Sequence, residues 1–231
     1  MKKIKLPSEI AYLSAVILLA FSVAMLSAVD FGLSMIVAPA YVLSQKFTFL
    51  TFGQAEYVIQ GVLFISFCLI VRKFKPIYLI AFASCLLYGA VLDLWRLIIP
   101  TFNPEITVPG SMDLWVRILF FVLGECITAF SVAMFFKVYL FPQVTDFFVM
   151  GVTARFNIKL SKFKTFYDLG FLLVALILSF AFFGELVGIS FGTIILAVTN
   201  GSIIGAFSKL IDKCFDIKPL FQKFSQYFVL P

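Results

Sequence analysis

Few residues in this chain are equipped for chemistry, and most of them sit where water is scarce. Glu125 lies near the middle of the apolar run 114–136, with no basic residue within one helical turn. A bare carboxylate is costly in hydrocarbon. It is therefore expected to face the protein interior and bind a proton, a cation or a substrate amine. The plain alternative is a protonated, structural hydrogen-bonder. Asp93 and Arg96 lie one turn apart near the end of the run 77–99, at a spacing that permits an intrahelical pair. Asp93 is the deeper of the two and is placed to line a vestibule. Gln60, Thr193, Thr199 and Asn200 are uncharged polar groups within apolar runs. Such groups either contact a solute or bond between helices. Lys46 with Glu56, and Arg155 with Asp168, form two matched candidate ion pairs, to be read as gates or as structural ties. Asn200-Gly201-Ser202 interrupts the last apolar run, where glycine permits a close approach or a break that bares backbone carbonyls.

Other chemistry is poorly supported. Histidine is absent, which removes the commonest catalytic base and metal ligand. Cys68, Cys85, Cys126 and Cys214 show neither disulfide nor metal spacing. No nucleophile stands at a useful distance from a base. The expectation is a protein that is not an enzyme, with no catalytic residue, no metal and no cofactor.

The elements that must position these groups are apolar to an unusual degree. The chain is 62% hydrophobic and 13% charged, with 31 phenylalanines among 231 residues. Mean hydropathy is +1.09. A soluble domain carries about 25% charged residues, so this chain has too little polar surface for water. The apolar runs are continuous and about 20 residues long, the length of a helical span. The spans are placed at 10–29, 52–71, 77–99, 114–136, 166–183 and 189–211. The fold class is thus all-α, a polytopic membrane protein of six transmembrane helices.

Threaded in this way, fifteen of the eighteen Lys and Arg residues fall on one side, and only Lys46, Arg96 and Arg117 on the other. Basic residues gather in cytoplasmic loops. Both termini are therefore placed in the cytoplasm, with the chain multi-pass in a bacterial cytoplasmic membrane. The net charge of +6 is accounted for by this bias and indicates no nucleic-acid partner.

The connections after spans one and four are long, apolar and proline-bearing (Pro39, Pro142), which predicts short interfacial or re-entrant helices. The tail 213–231 is expected to be cytoplasmic, with Ile217, Leu220, Phe221, Phe224 and Phe228 on one face of an amphipathic helix. Ser22-Val23-Ala24-Met25 recurs as Ser131-Val132-Ala133-Met134. Lys46 matches Arg155, Glu56 matches Asp168, and Gly89 matches Gly201. Residues 1–231 thus form a single transmembrane domain of two repeats, about 10–99 and 114–211. Three spans per repeat is an odd number, so the repeats insert with opposite orientation. That architecture, with a site near the midplane, is common among secondary transporters.

The stretches DFGLSMIVAPAYVLS (30–44), LTFGQAEYVIQGVLF (50–64), RKFKPIYLIAFASCLLYGAVLDLW (72–95) and GISFGTIILAVTNGSIIGAF (188–207) resemble the bacterial YczE/YitT-like integral membrane proteins. That resemblance implies a permease and carries over Asp93 and Thr193 as positions of interest. The last motif departs from the family's usual Gly-Ile-Gly-Thr. A second resemblance is to the S components of energy-coupling-factor transporters, six-span subunits that dock to a partner through small residues on span one, where this chain has Ala11 and Ala15. The expected function is a secondary transporter of a small polar or amphipathic solute, coupled to protons or cations. The alternatives are a binding subunit of an ATP-driven importer and a non-transporting accessory membrane protein. The expected partners are the lipid bilayer and the solute. A second copy of the chain is possible, as are ATPase and coupling subunits under the importer alternative.

Overall fold

A backbone in hydrocarbon must satisfy its own hydrogen bonds, and a helix does so within one segment. A computed structural model describes residues 3–228 and shows this solution six times. In chain order the elements are β1 (Ile4–Pro7), α1 (Ser8–Val29), α2 (Ala38–Lys46), α3 (Phe52–Val71), α4 (Leu79–Ile98), α5 (Leu114–Phe135), α6 (Val144–Phe156), α7 (Leu160–Phe183), α8 (Phe191–Cys214), β2 (Phe215–Lys218) and α9 (Gln222–Ser225). Helices α1, α3, α4, α5, α7 and α8 are long and apolar enough to cross a membrane. Local chemistry fixes their ends. Thr51 with Gln54 and Ser190 with Thr193 form capping boxes. Left-handed residues Asp30, Arg72 and Gly184 stop α1, α3 and α7.

The two halves share one order: long helix, short helix, two long helices. Their packing is matched as well. Helices α1 and α5 run against each other at the centre, α4 packs on α1, and α8 packs on α5. Each short helix lies between α3 of the first half and α7 of the second. The two short helices expected in the long connections are therefore present, and α6 is an interior element. Its Val144, Phe147, Phe148 and Val152 are buried in a cluster with Phe67, Tyr78 and Phe141.

The small-residue face of α1 is also interior. Ala11, Ala15, Ala20 and Ala24 are completely buried, and Ala28 nearly so. These residues bring α1 close to its neighbours within the chain, so they are not exposed to dock a partner.

The match between the halves breaks at one place. Helices α3 and α4 pack closely, whereas α7 and α8 scarcely touch. Gly53 and Gly89 mark the close crossing: a Cβ built on Gly53 would lie 2.2 Å from the Gly89 carbonyl oxygen. Gly201, the counterpart of Gly89, has nothing within 4 Å of such a Cβ.

Two expectations need correction. The tail does not form one amphipathic helix from 217. Phe215–Lys218 is instead a strand paired in parallel with Ile4–Pro7, and only Gln222–Ser225 is helical. Pro219 explains this, because the residue before a proline is driven to extended backbone. The Glu9 carboxylate then accepts the Leu220 and Phe221 amides. Residues 1–2 and 229–231, which include Lys2 and the end of the predicted tail helix, lie outside the described residues. The second correction concerns Asn200-Gly201-Ser202, which does not break its helix: α8 is continuous from Phe191 to Cys214.

Candidate functional site: a cavity between the two halves

A cavity of about 410 Å³ lies where the two halves meet. That is large enough for a small organic molecule. Its walls repeat the internal duplication. Leu19 and Val23 of α1 face it together with their counterparts Thr128 and Val132 of α5. The turn Ser34–Val37 before α2 is matched by Gln143, Thr145 and Asp146 at the start of α6. Glu56 is matched by Asp168, and Tyr88 by Asn200. The repeated tetrapeptide therefore has a spatial meaning, since its two valines flank the same space.

The cavity extends toward the end of the bundle that holds β1 and β2. It reaches Phe136 at the end of α5 and Lys164 in the first turns of α7. Residues of both α7 and α8 line it, so the unpacked seam between these helices forms part of its wall.

The polar groups form two clusters. The first is built around Gln60, which is 1% exposed. Its Nε2 donates to Glu56 Oε2 at 3.0 Å and to Gln143 Oε1 at 2.9 Å. Its Oε1 accepts the Val144 amide at 3.1 Å. One side chain thus fastens α3 to the first turn of α6 and supplies that helix with an N-terminal acceptor. Glu56 is 2% exposed, and its other oxygen, Oε1, is buried with no partner among the described residues. The second cluster is Lys164 Nζ, 3.2 Å from Asp168 and 3.6 Å from Asp146. The lining therefore contains three carboxylates and one ammonium. Among the described residues no group of His, Cys, Asp and Glu is placed to hold a metal ion.

Glu56, Gln60, Asn200 and Asp168, all singled out from sequence, are brought together at this cavity. Glu125 and Thr199 are not among its lining residues. Glu125 is buried in α5, one turn before Thr128, and accepts a hydrogen bond from Thr199 of α8, the residue before Asn200. Thr193 is buried in the capping box of α8, where its hydroxyl accepts the Ser190 amide at 3.3 Å. Asp93 accepts from the Thr51 hydroxyl at 2.5 Å and the Gly53 amide at 2.9 Å, so it caps α3. With Arg96 it lines a second cavity of about 380 Å³.

Neither matched ion pair forms. Lys46 donates to the Phe182 carbonyl at 3.4 Å and sits over the Phe182 and Phe183 rings. Glu56 is buried at the cavity wall and pairs with no base among the described residues. Asp168 is held by Lys164 on its own helix, four residues away, while Arg155 is exposed at the end of α6. Arg96 lies over the Phe52 ring at 5.3 Å and forms no ion pair with Asp93. Among the described residues the ion pairs are Lys137–Asp212, Lys164–Asp146, Lys164–Asp168 and Lys218–Asp216. Spacing along the chain favoured pairs that burial and the nearer lysine overruled.

Sequence reasoning missed Tyr88, Gln143, Asp146 and Lys164. A signal for one of them was present: Tyr88 occupies the same place in the first repeat as the candidate Asn200 in the second.

A family model described as a family of unknown function, DUF6198, matches residues 6–209, and the chain belongs to that family. No curated protein and no solved structure matches it.

Proposed function

We propose that this member of the DUF6198 family is a secondary transporter that carries a small polar or amphipathic solute through the cavity between its halves. One observation carries the reading: the cavity is walled by equivalent residues of two matched halves, one with its helix pair closed and the other with it open. Two halves of like construction have two arrangements of similar energy, related by exchanging which helix pair is closed. Exchange between them is alternating access. The arrangement described has α3–α4 closed at Gly53 and Gly89, and α7–α8 open at Gly201.

The crowding of basic residues at the end that holds the termini supports a cytoplasmic location for both. The cavity would then be open inward in a bacterial cytoplasmic membrane. The permease reading of the YczE/YitT-like proteins, which the chain resembles, points the same way. Carboxylates on the lining support coupling to protons or cations. The chain is read as acting without ATPase subunits, because the alanines that would dock them are interior.

The test is reconstitution of the purified protein into liposomes. Counterflow of a solute drawn from a mixed panel, together with two interconverting α7–α8 distances from spin labels at Leu173 and Val198, is the expected result. A single α7–α8 distance with no flux of any solute overturns the reading.

A further inference from the structure

Glu56 is the one carboxylate of the cavity to which the described residues offer no counter-charge. Lys164 is engaged with Asp146 and Asp168. Among the described residues Glu56 receives only the neutral Gln60 amide, on one oxygen, and its Oε1 is buried and unpartnered. A buried carboxylate oxygen without a donor is expensive, and natural structures rarely leave one so. Across the cavity on α8, Asn200 Oδ1 is a second buried acceptor with no donor among the described residues. Both vacant groups accept hydrogen bonds.

We infer that the solute is a small organic cation, a protonated amine, whose ammonium N–H groups fill Glu56 Oε1 and Asn200 Oδ1 while its apolar part lies against Leu19, Val23 and Leu196. The inference rests on the reading of the cavity as the solute site and names the substrate class for it. A metal ion does not fit, because the walls are mostly hydrocarbon and supply no cluster of ligands. An anion does not fit either, although two helix N-termini face the space. The Val37 and Ala38 amides of α2 already bond to Ser34, and Pro39 has none to offer. The first amide of α6 is taken by Gln60, and Asp146 places its own charge in that first turn. Tyr88 on the wall adds an aromatic side chain, a residue type whose ring attracts ammonium groups.

The test uses the full chain in detergent and in liposomes. The probes are butylammonium and 2-phenylethylammonium, compared with 2-phenylethanol and phenylacetate. Both ammonium ions should raise the thermal unfolding midpoint saturably, and the neutral and anionic analogues should not. Glu56→Gln, which keeps the shape and a Gln60 contact, should lower ammonium affinity by about tenfold or more, as expected for loss of a desolvated charge partner. Asn200→Ala should lower it by several-fold, and Glu56→Asp should retain the preference for cations even if Glu56→Gln fails to fold. The inference is overturned if the alcohol or the carboxylate stabilises equally, if neither ammonium binds, or if binding survives Glu56→Gln undiminished. Flux separates the two readings. Saturable ammonium binding with no flux of any solute retains the cation site and removes the carrier. Undiminished flux of a neutral or anionic solute through Glu56→Gln removes the cation site and retains the carrier.

Discussion

Gly53 and Gly89 meet backbone to backbone, each leaving no room for a Cβ on the other. A methyl group at Gly53 would have to push α4 away, since the obstructing atom belongs to backbone and cannot rotate aside. Gly53→Ala should therefore cost about 1–3 kcal/mol, the usual range for overpacking. Gly201→Ala, in open space, should be neutral or stabilising by roughly 0.5–1 kcal/mol through helix propensity. Thermal unfolding in one detergent compares the two. Equal effects would show that the two seams are packed alike.

A bulkier change at Gly201 separates stability from movement. Gly201→Leu places its Cβ in open space and should fold without loss of stability. It should abolish counterflow if α8 must close on α7. Wild-type flux in this variant would mean that the seam stays open throughout the cycle.

Gln60 serves both α3 and α6, so its removal strands several groups at once. Gln60→Leu leaves the Val144 amide and the Gln143 side chain without this partner and takes away the hydrogen bond that Glu56 Oε2 receives from it. A loss of about 2–4 kcal/mol is expected from stranded buried polar groups. Hydrogen exchange should show faster exchange at the start of α6 and little change in α1.

The sequence was most informative about what hydrocarbon demands. Continuous apolar runs marked the six long helices to within a few residues, apart from an earlier start of α7, because only a helix satisfies the backbone there. The proline-bearing apolar connections marked α2 and α6. Polar pairing was much less legible. Lys46 and Arg155 were matched to Glu56 and Asp168 by their places in the repeat, but the carboxylates turn to the interior and the bases do not follow. Lys164, nearer in space to Asp168, takes it instead. Glu125 stood out because it is isolated in sequence. Glu56 is the cavity carboxylate without an ion-pair partner among the described residues, and nothing in its local sequence distinguishes it from the acid of an ordinary helix end.

Lys164 is shared between two acids that are each about 30% exposed or less. Lys164→Met should destabilise by about 1–2 kcal/mol, between the values for exposed and fully buried pairs. Lys164→Met with Asp168→Asn should recover part of that loss by relieving repulsion with Asp146. A double-mutant cycle on unfolding midpoints measures the recovery, and a purely additive loss would deny the coupling.

The bond that ties the start of α1 to the segment after α5 responds to alkali. The Tyr139 hydroxyl donates to Glu9 at 2.7 Å. Desolvation, followed by this bond to a carboxylate, raises the phenol from its usual 10.0 to about 12. A folded-state value above the unfolded one gives stability that is complete below pH 10 and is lost as pH rises toward 12. Tyr139→Phe should remove that alkaline component and cost about 1 kcal/mol at neutral pH. Unfolding midpoints collected from pH 8 to 12 would show it as a slope present only in the parent chain.

Strand β1 precedes the first half and β2 follows the second, and their pairing stitches the halves together a second time. The covalent join, residues 99–113, lies at the opposite end of the bundle. A body attached at two separated points keeps one easy freedom, rotation about the line through both, as a door swings on its hinges. Cutting the stitch by shortening the tail would free the halves to twist and slide, so that one direction of relative motion would become many.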